Sequence, residues 1–271
     1  MTCVVAVPVR EGFIVAADRL TTGNDGSKLD EGPKLFPVAR GVVTASGKTG
    51  IGTNPAGNNL FDAHAVMREQ LSGKLPESVD WTTVRHALGT PLKRALDDMT
   101  ADARPPVSTA TASLLQVLTY YVDDAGALNL SAVFVKLRQV EPVLLDLDHK
   151  RAGPQNFELS RPLVAASVEV WNEIGNGVDP RFDDLRLLDV YQRFVSPARA
   201  EDTSADAGEA FARRLIRDTS ERKHLIGGAR DVGPTCDVVL VGRNGSVLRL
   251  GGDDDEQRRE RNKRKRERRN R

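Results

Sequence analysis

Cysteine, histidine and long apolar runs are all scarce in this chain. Its 271 residues include 2 Cys and 4 His. Two thiols, Cys3 and Cys236, are too few for a disulfide scaffold and suit a reducing compartment, so we expect free thiols in a cytoplasmic protein. The histidines are scattered singly, without the spacing of metal ligands, so we expect no metal site and no cofactor.

Membrane signals are equally scarce. No stretch approaches the roughly 20 apolar residues of a membrane-spanning helix, and the N-terminus has no apolar signal-peptide core. We therefore expect no membrane association. With 39 basic and 38 acidic residues the net charge is only +1. The length suits one compact domain, which we place at residues 1–252, followed by a tail at 253–271.

The tail differs in composition from the domain. Residues 253–271 hold ten Lys or Arg and six Asp or Glu, and all ten basic residues lie in 258–271. Nothing in this segment is apolar enough to be buried, which predicts disorder. We favour a solubilising tail, and the alternative is weak, salt-sensitive binding of nucleic acid or an acidic partner through 258–271.

Short β-branched and apolar runs predict strands near the N-terminus. The second of them ends at Asp18, and the third begins at Lys34. Two hairpins would bring both residues back beside the start of the chain. The predicted strands are Cys3–Val7, Phe13–Ala17, Lys34–Val38 and Val42–Ala45.

Thr2 follows the initiator Met1, and a side chain this small permits removal of the methionine. The new N-terminal residue would then carry a hydroxyl nucleophile and an amine base together. An α-amine has an ordinary pKa of about 7.7–8.0, close to that of a useful base at neutral pH. An ammonium at Lys34, held charged by Asp18, would lower the pKa of both groups.

At this point the chain resembles a known superfamily. The segments "TCVVAV", "GFIVAADRLTT", "KLFPV" and "GVVTASGKTG" are similar to the N-terminal half of proteasome β-type peptidases, relatives of HslV and the Anbu proteins among N-terminal-nucleophile hydrolases. The resemblance implies that Thr2 is the nucleophile, that Asp18 and Lys34 are its charge partners, and that Gly47 is the oxyanion donor. It also implies that Thr22 and Ala45 line the substrate groove.

The resemblance resumes near the C-terminus, in "LVAASVEVW" and "ARDVGPTCDVVLV". It implies supporting roles for Ser167 and Asp231, which would orient the amine. The chain departs from the family at two places: Pro234 stands where a serine is expected three residues after Asp231, and the interval from Lys34 to Gly47 is one residue shorter than usual.

Gly47-Lys48-Thr49 looks like the end of a phosphate-binding loop. That motif requires a glycine at position 42, where this chain has valine, so we do not expect an ATPase site.

The remaining pattern predicts alternating blocks of helices and strands. This order suits an α+β protein with two sheets between helical layers, the four-layer αββα sandwich that the resemblance also implies. The predicted helices are 54–71, 80–99 (interrupted by Pro91), 171–196 and 203–219, and the predicted strands are 110–122, 128–137, 139–147, 236–241 and 246–250, the last two joined at Asn244-Gly245.

These observations lead to three functional hypotheses. The first is a threonine-type hydrolase of amide or peptide bonds, acting on a peptide or protein. The second is a non-catalytic, proteasome-like scaffold or partner-binding protein, suggested by Pro234 and the basic tail. The third is an amidohydrolase of small molecules, since a fold does not determine a substrate. The resemblance further implies a homo-oligomer, a ring or spiral, with the helices of 54–101 at its contacts.

Overall fold

The computed structural model describes residues 3–22, 28–47, 49–53, 59–99, 113–140, 144–148, 155–158, 163–165, 202–225 and 232–252. These residues form a mixed α+β structure with two main antiparallel sheets. The first sheet has the strand order β13 (Leu163–Ala165), β1 (Val4–Val9), β2 (Gly12–Asp18), β14 (Cys236–Gly242), β15 (Val247–Gly252).

The second sheet has the order β11 (Leu144–Asp148), β10 (Leu128–Val140), β9 (Ser113–Val122), β6 (Gly41–Gly47), β5 (Phe36–Val38), and β12 (Gln155–Glu158) also pairs with β10. Two ribbons stand apart from these sheets: β3 (Leu20–Thr22) with β4 (Lys28–Glu31), and β7 (Gly50–Thr53) with β8 (Asn59–Asp62). The described helices are α1 (Ala63–Gln70), α2 (Trp81–Asp97) and α3 (Ala205–Leu225).

Alternation along the strands divides the core into three apolar clusters, because successive side chains of a strand point to opposite faces. Val4 and Ala6 of β1 pack against the second sheet, in a cluster that includes Val42 and Tyr120. The intervening Val5 packs with residues of α3. On the second sheet, residues of β5, β6, β9 and β10 pack against α1 and α2. This arrangement is compatible with a sandwich.

Pro8 lies inside β1, although the sequence suggests that it suits a strand end. It pairs with Phe13 on β2, whereas β13 pairs only with Val4–Ala6 on the other side. At Pro8, β1 therefore has a single strand neighbour among the described residues. A proline, which has no N–H to donate, is tolerated at such a position.

The predicted helix over 54–71 is wrong over residues 59–62, and its first five residues lie outside the described residues. Residues 59–62 form β8, and α1 begins only at Ala63. Asp62 caps this helix, because its Oδ1 accepts the N–H groups of His64 at 2.8 Å and Ala65 at 3.2 Å.

The predicted break at residue 138, between the strands 128–137 and 139–147, is also wrong, because β10 continues through Arg138 to Val140 and pairs there with β11. Pro91 does not divide α2, which is one helix from Trp81 to Asp97. The predictions for 203–219 and for the last hairpin are confirmed by α3 and by β14–β15, with Gly245 at φ 81°. The predicted helical region 171–196 and the tail lie outside the described residues.

None of the described helices is both long and apolar enough to span a membrane.

Candidate functional site

Asp18 is the last residue of β2, and it is completely buried. Its backbone N–H donates to the Cys3 carbonyl at 3.1 Å. The Cys3 N–H donates in return to Asp18 Oδ1 at 2.7 Å. The carboxylate is therefore bonded to the amide that joins residue 3 to residue 2.

The second oxygen of Asp18 accepts three further hydrogen bonds. The N–H groups of Leu20 and Gly233 donate to Oδ2 at 3.2 Å each. Lys34 Nζ donates to the same oxygen at 3.1 Å. A buried carboxylate requires such partners, because its desolvation is otherwise very costly.

Lys34 lies in the irregular segment between β4 and β5, and its side chain is only 2% exposed. Besides Asp18, its Nζ donates to the Leu20 carbonyl at 2.5 Å. An ammonium has three donors. Among the described residues, two of these donors are used, by the Asp18 carboxylate and the Leu20 carbonyl.

Asp237 was not predicted as a site residue, and its carboxylate lies next to the backbone of Lys34. The carboxylate lies 4.0 Å from the Arg19 guanidinium. Its Oδ2 is buried with no hydrogen-bond partner among the described residues. Burial raises the pKa of Asp237. The nearby Arg19 and Arg249 and a backbone hydrogen bond from Lys34 oppose this shift. The sequence signal is an acidic residue at the start of an otherwise apolar strand, directly after Cys236.

The predicted oxyanion donor Gly47 is the last residue of β6, where it pairs with Leu115 of β9. Ala45, predicted to line the groove, pairs with Val117, and its side chain is fully buried in the cluster beneath α1 and α2. Thr22 ends β3 and pairs with Lys28. Ala45 and Gly47 therefore share strand β6 of the second sheet, whereas Thr22 belongs to the separate β3–β4 ribbon.

His64 was also missed by the sequence reasoning, since a single histidine carries no spacing signal. Its side chain is 4% exposed, and its Nε2 lies 3.2 Å from the Ala45 carbonyl oxygen. Burial, and next the charge of Lys34, hold the pKa of His64 well below its ordinary value. The ring is therefore neutral, and because a carbonyl only accepts, Nε2 carries the proton.

This tautomer leaves Nδ1 of His64 as an acceptor. Nδ1 is buried and has no hydrogen-bond partner among the described residues. The nearest acidic atom, Oδ1 of Asp62, lies 3.9 Å away.

The two thiols occupy opposite sides of Asp18 in the first sheet. Cys3 is bonded to Asp18 on one side, and Cys236 pairs with it on the other. Two strand spacings separate their backbones by about 9–10 Å, whereas a disulfide needs Cα atoms within about 7 Å. Both cysteines are free, as predicted, and burial followed by the charge of Asp18 raises the pKa of the Cys3 thiol.

Three predicted site residues, Thr2, Ser167 and Asp231, lie outside the described residues. The segment that follows Asp231 does reach the site through Gly233. Searching the part of the chain that the structure describes reveals no group of three His, Cys, Asp or Glu side chains that could hold a metal ion.

Comparisons with known proteins find similarity among solved structures. No protein-family model matches the chain, and no curated protein matches it. Among solved structures, it is similar to Anbu (ancestral beta-subunit) from Yersinia bercovieri, with 13% sequence identity and a TM-score of 0.43. The match covers 92% of this chain and 86% of that one.

Proposed function

We propose that this protein is a threonine-type N-terminal-nucleophile hydrolase of amide or peptide bonds, with the αββα sandwich of that class. The observation that carries the proposal is the buried ion pair of Asp18 and Lys34, bonded to the Cys3 N–H directly beside residue 2. A lysine held there supplies positive charge where a nucleophile would need a lowered pKa.

The energetics of the pair support a functional role. Replacing a buried ion pair by apolar residues of similar volume is often neutral or stabilising, so such a pair is a poor means of stabilising a fold. Here the pair lies against the amide of Cys3 at the start of β1, with three backbone N–H groups directed at the carboxylate. The arrangement holds a charged lysine near the chain terminus with little freedom to move.

In the proposed reaction, Met1 is removed and Thr2 Oγ attacks the substrate carbonyl carbon. The Thr2 amine accepts the hydroxyl proton, and the Gly47 N–H stabilises the tetrahedral oxyanion. The intermediate collapses, the C–N bond breaks, and the leaving amine takes the proton from the Thr2 ammonium. Water then attacks the acyl ester, with the Thr2 amine again as base, and releases the carboxylic acid and free Thr2.

The other predicted residues take supporting roles in this proposal. Lys34, fixed by Asp18, lowers the pKa of the Thr2 amine and hydroxyl. Ser167 and Asp231 orient the amine, and Thr22 and Ala45 line the substrate groove. Ala45 is completely buried in the free protein, so in this proposal substrate binding displaces a neighbouring side chain.

A non-catalytic scaffold is the second candidate. The observation that favours it is Pro234, which follows the Asp18-bonded Gly233 and offers neither a hydroxyl nor an N–H. A small-molecule amide is an alternative substrate within the first candidate. The fold itself does not choose between these functions.

Intact-mass analysis and a threonine-directed electrophile would test the proposal. We expect recombinant protein to lack Met1 and to form one adduct with a peptide epoxyketone at Thr2. Thr2→Ser should retain the adduct, and Thr2→Ala should lose it. Fluorogenic peptides and small amides, assayed in parallel, would identify the substrate class. A retained Met1, or wild-type protein that forms no adduct, would exclude the hydrolase and favour the scaffold.

We further propose that the chain assembles into a ring-like or spiral homo-oligomer, since closed symmetry would shield an indiscriminate active site. Residues 253–271 would remain outside this assembly as a charged tail. Light scattering of the full-length protein and of a chain ending at Gly252 tests both points. A monomer at micromolar concentration excludes the oligomer, and loss of the oligomer on truncation excludes a passive tail.

A further inference from the structure

Two consecutive residues at the start of α1 bond to the chain on both sides of Gly47. The Ala63 N–H donates to the Thr49 carbonyl at 2.8 Å, two residues after the glycine. His64 Nε2 donates to the Ala45 carbonyl at 3.2 Å, two residues before it. The five-residue segment 45–49 is therefore held at each end by the same helix terminus.

These two hydrogen bonds flank a part of β6 that has only one strand neighbour among the described residues. Strand β5 pairs with β6 from Gly41 to Val43 and no further. Beyond Val43, the pairing with β9 continues through Gly47. Among the described residues, the two hydrogen bonds from the start of α1 are the ones that reach the segment 45–49 from outside the second sheet.

The helix start is itself rigidly held. Asp62 caps α1 through the N–H groups of His64 and Ala65. The imidazole is buried, with the Phe36 ring 6.2 Å away between centroids. A side chain packed in this way has few accessible rotamers. It therefore restricts movement of the Ala45 carbonyl to which it is bonded.

We propose that His64 is a positioning residue that fixes the Gly47 N–H in the orientation needed for oxyanion binding. This inference rests on the proposed function, in which Gly47 is the oxyanion donor. His64 touches neither substrate nor nucleophile, and it acts through the carbonyl of Ala45. A misplacement of about 1 Å at a reacting group can reduce the rate by about 10²-fold, so a fixed strand end matters for catalysis.

The buried position favours a neutral ring. The charged groups around the imidazole are Lys34 and Arg68, which oppose its protonation, and the Asp62 carboxylate, which accepts two backbone N–H groups. Protonated Nδ1 would have to move toward Asp62 to find an acceptor, since 3.9 Å is too long for a hydrogen bond. That movement would pull Nε2 away from the Ala45 carbonyl.

Hydrogen exchange and kinetics of three variants test the proposal. His64→Leu removes the donor, His64→Gln retains an N–H donor, and His86→Leu, at an exposed histidine of α2, is the control. We expect His64→Leu alone to speed amide exchange in the segment 45–49 by roughly 2- to 10-fold, the effect of one typical hydrogen bond. Exchange in β1 should stay unchanged.

With a peptide substrate identified as above, His64→Leu should lower kcat by up to about 10²-fold with little change in KM. His64→Gln should restore most of kcat. Unchanged exchange at 45–49 would overturn the proposal whether or not the protein is active. Uniformly faster exchange, or an unchanged kcat in an active enzyme, would also overturn it, because either shows an ordinary structural role. If the wild type is inactive, the proposed function fails, and catalytic positioning fails with it. Amide exchange at 45–49 would then still show whether His64 restrains this segment.

Discussion

The backbone N–H of Gly233 donates to Oδ2 of Asp18 at 3.2 Å across 215 positions of sequence. This bond ties the segment before β14 to the end of β2, beside the Leu20 N–H that donates to the same oxygen. A Cβ at Gly233 would stand 2.7 Å from Leu20 Cβ, closer than real Cβ atoms approach one another. Glycine is therefore required here for close approach to the ion pair.

Gly233→Ala should destabilise the protein by about 1–3 kcal/mol, because the added methyl group overpacks the contact with Leu20. It should also weaken the bond to Asp18. The matched control is Gly73→Asn, since Gly73 has a φ of 79° and open space around it, and asparagine tolerates that conformation. Urea denaturation measures both. Equal stability of Gly233→Ala and the wild type would contradict the close contact.

Lys34→Met should lower the free energy of unfolding by roughly 3–5 kcal/mol, because it leaves the Asp18 carboxylate buried without its counter-ion. Adding Asp18→Asn should recover part of that loss, giving a coupling energy in a double-mutant cycle. The control is Glu11→Gln, in an exposed pair with Arg10 at 3.8 Å, which should change stability by less than about 1 kcal/mol. Additive losses at Asp18 and Lys34 would show that the two side chains do not interact.

His64 should make the protein less stable in acid. Its pKa is lowered in the folded state, whereas an unfolded histidine titrates near about 6.5. Below about pH 6.5 the unfolded chain binds a proton at this histidine, whereas the folded protein does not. The free energy of unfolding therefore falls as pH falls toward the folded pKa. His64→Gln should remove this part of the slope, and His86→Gln should not. Identical slopes for wild type and His64→Gln would show that the ring titrates normally.

Asp237→Ala should destabilise the protein by about 0.5–1.5 kcal/mol, the range for an ordinary hydrogen bond, because the Lys34 N–H loses its acceptor. Asp237→Asn keeps an acceptor oxygen and should cost less. The pKa of Asp237 is raised in the folded protein, whereas an unfolded aspartate titrates near about 3.9. Between these two pKa values the unfolded chain loses this proton and the folded protein keeps it, so the free energy of unfolding falls as pH rises. Urea titrations at several pH values measure this slope, which should vanish in Asp237→Asn. Equal losses in Ala and Asn would show that the acceptor is not what matters.

Local patterns predicted the elements whose partners are close in sequence. The runs around Val4–Val9 and Gly12–Asp18 form adjacent antiparallel strands, as the predicted hairpin requires. Asn244-Gly245 makes the last turn, with Gly245 at φ 81°. The same two-hairpin reasoning predicted that Asp18 and Lys34 lie near the start of the chain, and the structure brings them into a buried ion pair.

The local pattern misled where strand pairing overrides helical or turn spacing. The apolar spacing over 54–71 is helical throughout, yet 59–62 pairs with β7 as a strand, and Asp62 delays the helix start to Ala63. β10 extends through Arg138 because β11 pairs with it there.

The sequence by itself determined where apolar alternation places most of the strands and where the last hairpin turns, and it predicted which side chains to consider for a candidate site. Only the tertiary structure decided that Asp237 supports the Lys34 backbone and that His64 holds the Ala45 carbonyl. The physical reason is that these contacts join elements far apart in the chain. Burial and hydrogen bonding between them depend on how the sheets and helices pack, which periodicity and turn chemistry do not encode.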